Sequence, residues 1–204
     1  MSVLDILIKY YPAFLQGLRV TLEMCALIWS SGIILGTALG VATVRFPLFI
    51  GWPARLISFL LAGVPTLVFL FWLHYPAQAM LDVVIDPFYT ATFTFAILNI
   101  FGVGDLVRSA LQDFPQQYLT AAKVTGLSHR QTVTKIQLPL IARQIFPGLL
   151  VLQVSMLHMT LFASLISVEE IFRVAQRINA QIYRPIEIYT ALGVFFLAVC
   201  VPVN

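Results

Sequence analysis

His158 stands near the middle of the apolar stretch 145–168. An ionisable side chain at bilayer depth is costly and marks a functional site by default. Two readings are open for it: contact with a solute in a pathway, or a neutral imidazole bonded to a carbonyl of a neighbouring helix. Ser155 precedes it by one helical turn, a nucleophile–base spacing, but no strained serine elbow accompanies the pair, so hydrolysis is not expected. Asp105 and Arg108 are spaced i, i+3 and meet on one helix face, which reads as a structural ion pair that sets packing. Arg19 and Glu23, spaced i, i+4, read as an interfacial pair with snorkelling stems. His74, His129 and His158 lie too far apart in the expected topology to share a metal, and no metal site is expected. A G-x-x-x-x-G-K-[ST] phosphate loop is absent, and Gly102 and Gly104 are not followed by a third glycine in dinucleotide-binding register. Cys25 and Cys200 lie in apolar runs and read as small buried hydrophobes.

The elements that must position these residues are set by composition. Hydrophobic residues make up 60% of the 204-residue chain and charged residues 10%. A soluble domain carries about 25% charged residues, so this chain is expected to be an integral membrane protein of one domain, 1–204. With a formal charge of +3 and no basic patch, nucleic acid is not an expected partner; membrane lipid is. Crossing a bilayer takes about 20 apolar residues per helix. Five spans are expected, at about 14–44, 56–73, 88–111, 145–168 and 188–203, giving an all-α membrane protein. Asp5 and Glu23 interrupt the N-terminal stretch, and its apolar run is too long for a cleaved signal. Arg45 and Arg55 flank the first loop, and Lys123, Arg130, Lys135 and Arg143 fill the long loop between spans three and four. The positive-inside rule then places the N-terminus outside and the C-terminus in the cytoplasm. Gly63 and Pro65 weaken the second span, and a kink there either lines a pathway or serves packing alone.

The cytoplasmic segment 113–139 reads as helix–turn–helix. Asp113 is the expected N-cap of a first helix from about Gln116 to Thr125. Gly126 suits the left-handed position after that helix. Ser128 and Gln131 form an S-x-x-Q capping box for a second helix, which Pro139 is expected to end or kink. Either a knob for another protein or an ordinary connection fits this pattern. On the other face, Arg173, Arg177, Arg184 and Glu187 form a charged rim, read either as a docking surface or as a headgroup-facing one.

The stretch "TAAKVTGLSHRQTVTKIQLP", 120–139, resembles the cytoplasmic EAA signature of ABC-importer permeases: Ala121, Ala122, Gly126, Ile136, Leu138 and Pro139 stand in its register. Further resemblance to the polar amino acid permease family is carried by "GLRVTLEMC" from Gly17, "GVPTLVFLFWLHYP" from Gly63, "GDLVRSALQDFPQQY" from Gly104 and "YRPIEIYTALGVFFL" from Tyr183. The resemblance implies a five-helix type I ABC-importer permease in a bacterial inner membrane. It implies a coupling helix between spans three and four, with Thr120, Ala121, Ala122, Gly126 and Leu127 facing an ATPase. Two ATPase subunits would hold ATP and magnesium, and this chain would hold no cofactor and be no enzyme itself. A second permease subunit, a periplasmic or extracellular substrate-binding protein and a small-molecule cargo complete the implied partners. The substrate pathway is expected at Pro65, His158, Met159 and Thr160, and receptor docking at Arg173, Arg177, Arg184 and Glu187. Departures from the pattern fall at polar positions: Thr120 replaces the usual glutamate, Ala62 an arginine, Asp105 a glutamate, and "HMTLF" from His158 a K-D-T-S-L stretch. Lost charges point to one half of a heterodimer or to an unusual cargo, with the heterodimer preferred. A non-transporting scaffold or an intramembrane enzyme of the same fold is the alternative reading. The cargo itself is not legible, and the chain stops close to the last expected span, leaving room for a cytoplasmic tail.

Overall fold

The computed structural model describes residues 3–201, and these form helices and turns with no strand among them. Helix α1 (Val3–Ser31) passes through a π turn (Gly32–Gly36) into α2 (Thr37–Arg45). Together they hold an apolar rod of 41 residues, Asp5–Arg45. At about 1.5 Å per residue that is about 60 Å, roughly twice the hydrocarbon thickness of a bilayer. The rod contains the expected first span and extends beyond it toward the N-terminus. A second π turn (Pro47–Gly51) leads into α3 (Trp52–Gly63), followed by α4 (Thr66–His74) and α5 (Pro76–Leu81).

The expected second span, 56–73, is not one helix. It breaks at Val64 and Pro65, and the two arms meet at 99°. The proline ring disfavours helical geometry in the residue before it, and Val64 is extended at φ −100°, ψ 125°. Pro65 itself, at ψ 131°, supplies no N–H to carry the hydrogen-bond ladder across. Both elements of a kink were expected; the outcome is a corner.

Helix α6 (Pro87–Gln112) begins where Asp86 Oδ1 accepts the Phe88 amide at 2.8 Å. Two short helices, α7 (Gln116–Val124) and α8 (His129–Thr132), follow. A π turn (Val133–Gln137) joins α8 to α9 (Leu138–Met159), which ends in a 3-10 turn (Thr160–Ile166). His129–Ile166 is therefore one apolar helix of 38 residues. Pro139 neither ends nor sharply breaks it, contrary to expectation. The wider i→i+5 turn just before Pro139 moves the preceding carbonyls away from the ring that would otherwise clash with them. Asp113, expected as the N-cap of α7, instead closes α6, and Pro115 occupies the α7 N-cap. Helix α10 (Ile171–Ile182) and the 16-residue apolar α11 (Pro185–Cys200) complete the chain. Among the described residues, three helices are long and apolar enough to cross a membrane, and a fourth if the bent pair counts as one. The expected fifth span corresponds to α11, and its expected end at 203 lies outside the described residues.

Helix α6 is the central post, packed against α1, α2, α3, α4 and α9. The rod α1–α2 runs parallel to it along a glycine seam at 32, 36 and 40. A β-carbon at Gly36 would lie 2.7 Å from the Ile100 carbonyl, and one at Gly40 would lie 2.7 Å from the Gly104 carbonyl. Small residues let backbones approach where lipid offers no hydrophobic drive for helix association. Helix α9 runs antiparallel to α6, with Leu152 against Gly102 and Leu106 against Gly148.

A buried polar clasp ties the three long helices. Asn99 Nδ2 donates to Gln153 Oε1 at 3.0 Å, and Gln153 Nε2 returns a bond to Asn99 Oδ1 at 3.3 Å. Asn99 Nδ2 also reaches the Ile28 carbonyl at 2.9 Å, and Trp29 Nε1 donates to the Gln153 carbonyl at 3.1 Å. Met24, Ile28, Leu70, Phe95 and Met156 form an apolar cluster beside it.

Removing either amide leaves a buried partner unsatisfied. Asn99→Ala and Gln153→Ala are each expected to cost about 1–3 kcal/mol. The double variant should cost less than the sum, with a coupling energy of about 0.6–1.7 kcal/mol, measured by unfolding in mixed micelles. Zero coupling would show that the two amides act independently.

Candidate functional site

The corner at Val64–Pro65 opens a cleft of about 490 Å³ between α3, α4, α6 and α9. Its walls are apolar except for Ser58, Thr66 and Asp105, and two thioethers, Met156 and Met159, face it from α9. Of the four residues expected in a pathway, Pro65 and Met159 meet here. His158 and Thr160 do not. Successive helical residues point about 100° apart, so His158 turns toward α11. Its Nε2 lies 3.4 Å from Cys200 Sγ and its ring 6.2 Å from that of Phe196. The contact expected with a carbonyl is thus made with a thiol. Thr160 is fully buried and its hydroxyl donates to the Leu157 carbonyl at 2.7 Å. Ser155 donates to the Val151 carbonyl at 2.9 Å, so its hydroxyl is committed to its own helix.

Asp105 lies on the cleft wall, with Arg108 one turn further along α6. Arg108 Nη2 and Nε donate to the same oxygen, Asp105 Oδ1, at 2.9 and 3.3 Å. Arg108 Nη1 reaches Gln112 Oε1 at 3.4 Å. The arginine side chain is 20% exposed and the carboxylate 40%.

The α7–α8 segment is a tight hairpin. The Leu127 amide donates to the Ala122 carbonyl at 3.0 Å and the Gly126 amide to the Lys123 carbonyl at 3.1 Å. That paired 6→1 and 5→2 pattern is a Schellman closure. Gly126 has φ +73°, and a β-carbon there would meet nothing within 4 Å. Glycine is required by the left-handed backbone, not by space. The capping box is present: the Ser128 amide donates to Gln131 Oε1 at 2.9 Å, and the Gln131 amide to Ser128 Oγ at 3.3 Å. Thr120, Ala121 and Gly126 are exposed and Leu127 is half-buried. Ala122 is buried and packs inward. Val124, 83% exposed, joins the outward face; its only signal in the sequence is an apolar residue amid polar neighbours.

Helix α10 lies at the opposite end of α1 from the glycine seam. It seats Ile171 and Val174 against Gly17, and the Ile171 amide donates to Thr21 Oγ1 at 3.2 Å. Glu170 caps it from a fully buried position, accepting from the Phe172 amide at 2.8 Å and the Arg173 amide at 2.7 Å. Burial pushes the Glu170 carboxyl up to about 7, against the pull of the two amide donors; Glu169 adds to the rise. Arg177 pairs with Glu169 at 2.9 Å, Arg173 approaches it at 4.0 Å, and Arg184 pairs with Glu187 at 3.4 Å. The four rim residues therefore form two partly exposed groups, each already holding an acid. Asn99, Gln153, Thr21 and Glu170 were not singled out from the sequence, although each is a polar side chain inside or beside an apolar run.

The pattern of the binding-protein-dependent transport system inner membrane component family matches residues 32–204. The chain is 28% identical over 193 residues to the glutamine transport system permease protein of Escherichia coli strain K12, covering 92% of this chain and 86% of that one. It is 27% identical to an L-cystine transport system permease protein of Bacillus subtilis strain 168, covering 94% and 83%. It is 25% identical to the octopine transport system permease protein of Rhizobium radiobacter, covering 92% and 80%. Among solved structures, an amino acid ABC transporter crystallised with histidines superposes with a TM-score of 0.87 at 22% identity, covering all of this chain and 94% of that one. The methionine ABC transporter in an inward-facing conformation superposes with a TM-score of 0.73 at 17% identity, covering 96% and 93%. At those identities the two structures establish the fold.

The raised Glu170 value has a sign. The folded state binds more protons than the unfolded chain between about pH 4.3, the ordinary glutamate value, and about 7. The contribution of Glu170 to stability is therefore greatest below this window, falls as pH rises through it, and levels off above it. Glu170→Gln is expected to flatten that slope in thermal unfolding of the detergent-solubilised protein; an unchanged slope would assign it to other groups.

Proposed function

The chain belongs to the binding-protein-dependent transport system inner membrane component family, and from that premise we propose that it is the permease subunit of an ABC importer carrying a polar amino acid or a related small solute inward. The observation that carries this reading is the family match across 32–204, which spans the corner, the cleft and the hairpin. The solute class rests on relatives named for glutamine, L-cystine and octopine transport.

In this reading two permeases enclose the pathway, and the cleft walls at Pro65 and Met159 belong to it. The corner gives α4 a hinge relative to α3. His158 and Thr160 act behind the cleft, holding α9 to α11 and closing the last turn of α9. Two ATPase subunits, with their ATP and magnesium, engage the hairpin through Thr120, Ala121, Val124, Gly126 and Leu127, while Ala122 anchors it to the bundle. ATP hydrolysis is assigned to those subunits and none to this chain. Nucleotide shifts the population between inward- and outward-open states because the two states bind it with different affinity. The basic loops support a cytoplasmic hairpin, with α10 and its flank facing outside. There Arg173, Arg177, Arg184 and Glu187 receive the substrate-binding protein, steering its encounter more than adding affinity. The second permease is of different sequence: the "HMTLF" stretch leaves that part of the pathway without the lysine and aspartate of the family pattern in this chain. Five spans result if the bent pair and α11 each cross the membrane.

The direct test is uptake. The complex purified through this chain, reconstituted in proteoliposomes with its binding protein, should import at least one of a panel of labelled amino acids in an ATP-dependent manner; ATP-independent or absent uptake across the panel would overturn the assignment. Gly126→Arg should abolish uptake and weaken co-purification of the ATPase while membrane insertion persists, because the left-handed turn is lost and its open face is filled. Full-rate uptake by that variant would sink the docking role.

A further inference from the structure

Asp105 is the single charged residue lining the cleft at the Val64–Pro65 corner. It also lines a second, adjoining cleft of about 440 Å³ between α6 and α9, together with Ser109 and Ser155. The carboxylate thus stands at the junction of two clefts whose other lining is apolar apart from hydroxyl side chains. An ionised side chain beside a largely apolar cleft is stabilised by a partner. Arg108 supplies one, but unevenly: both of its contacts fall on Oδ1. Oδ2 has no hydrogen-bond partner among the described residues. The arginine is the more buried of the two, and the carboxylate keeps twice its fractional exposure, 40% against 20%. Arg108 and the 3-residue spacing therefore fix the orientation of Asp105 without using it up.

Resting on the permease reading above, we propose that Asp105 binds the ammonium group of the cargo through Oδ2, making it a specificity-determining residue for solutes that carry a primary amine. The chemistry of the surroundings agrees. A charge-assisted hydrogen bond to a carboxylate is among the strongest a site offers. The remaining walls, Met156, Met159 and Pro65, give an apolar, adaptable lining for side chains of varied shape. The volume of the cleft accommodates a single amino acid. Because Arg108 balances Asp105, a cationic amine is held by one free oxygen instead of a bare buried charge, which favours release as well as capture.

The test separates this site from selection by the binding protein by leaving that protein out. First, the full importer is assayed for uptake to find an amino acid it carries. The permease–ATPase complex alone is then dialysed to equilibrium against that labelled amino acid and, separately, against its desamino analogue. The wild-type complex should bind the amino acid and bind the analogue about tenfold to a hundredfold more weakly, the range expected for loss of a charged hydrogen bond. Asp105→Asn should weaken binding of the amino acid by a similar factor and leave the analogue unchanged. Asp105→Glu, retaining the carboxylate, should restore most of the discrimination. Equal binding of the amino acid by wild type and Asp105→Asn would overturn the inference, as would parallel losses for both ligands, which mark a purely structural ion pair. Absence of binding to the complex while the full importer transports would overturn the inference and leave the permease reading standing. Failure of the full importer to carry any amino acid would overturn both.

Discussion

The Asn99–Gln153 amide pair is the constraint on which the arrangement of the long helices depends. In hydrocarbon, apolar side chains do not choose between a neighbouring helix and a lipid tail, so association must come from close packing and from hydrogen bonds. The pair supplies both in one place. Two reciprocal bonds fix the register of α6 against α9, and the Ile28 carbonyl and Trp29 indole bring in α1. A shift of either helix by one residue breaks both reciprocal bonds and that helix's contact with α1. The glycine seam then lets α2 continue along α6 at a separation that no larger residue allows.

With the three long helices held in register, the α3–α4 corner has a fixed wall to face. The proline that forbids a straight helix also creates the concavity, because the arm beyond it leaves at 99° and no side chain fills the angle. The clasp and the cleft are thus linked through α6: Asn99 locks one part of the helix, and Asp105, nearly two turns further, lines the open space. Asp105, its side chain partly exposed, is held at the edge of that space by its paired arginine.

The two ends of the bundle solve opposite problems. At one end, the α7–α8 hairpin exposes small side chains, and its turn is closed by local bonds alone: a Schellman turn and a capping box. At the other, α10 must lie against α1, and its first turn is closed by a carboxylate taken fully out of water. The first is self-contained and follows from adjacent residues. The second is also bonded locally, but the burial of its carboxylate comes from the fold around it.

That difference marks how much could be read from the sequence. The helical, membrane-embedded class follows from composition, since a chain with so few charges cannot cover a water-facing surface. The hairpin follows from Gly126, Ser128 and Gln131 because capping and left-handed turns are decided within a few residues. Asp105 and Arg108 were paired by spacing because one helix turn fixes their distance. Tertiary structure decided everything that joins residues far apart in the chain: that Asn99 finds Gln153, that His158 meets Cys200 while Met159 faces the cleft, and that Pro65 makes a corner and not a bend. Pro139 shows the same limit locally, since a π turn of equal composition but different hydrogen-bond register lets the helix run on. Periodicity reports which residues share a face; the face each one meets depends on which helix the fold brings alongside it.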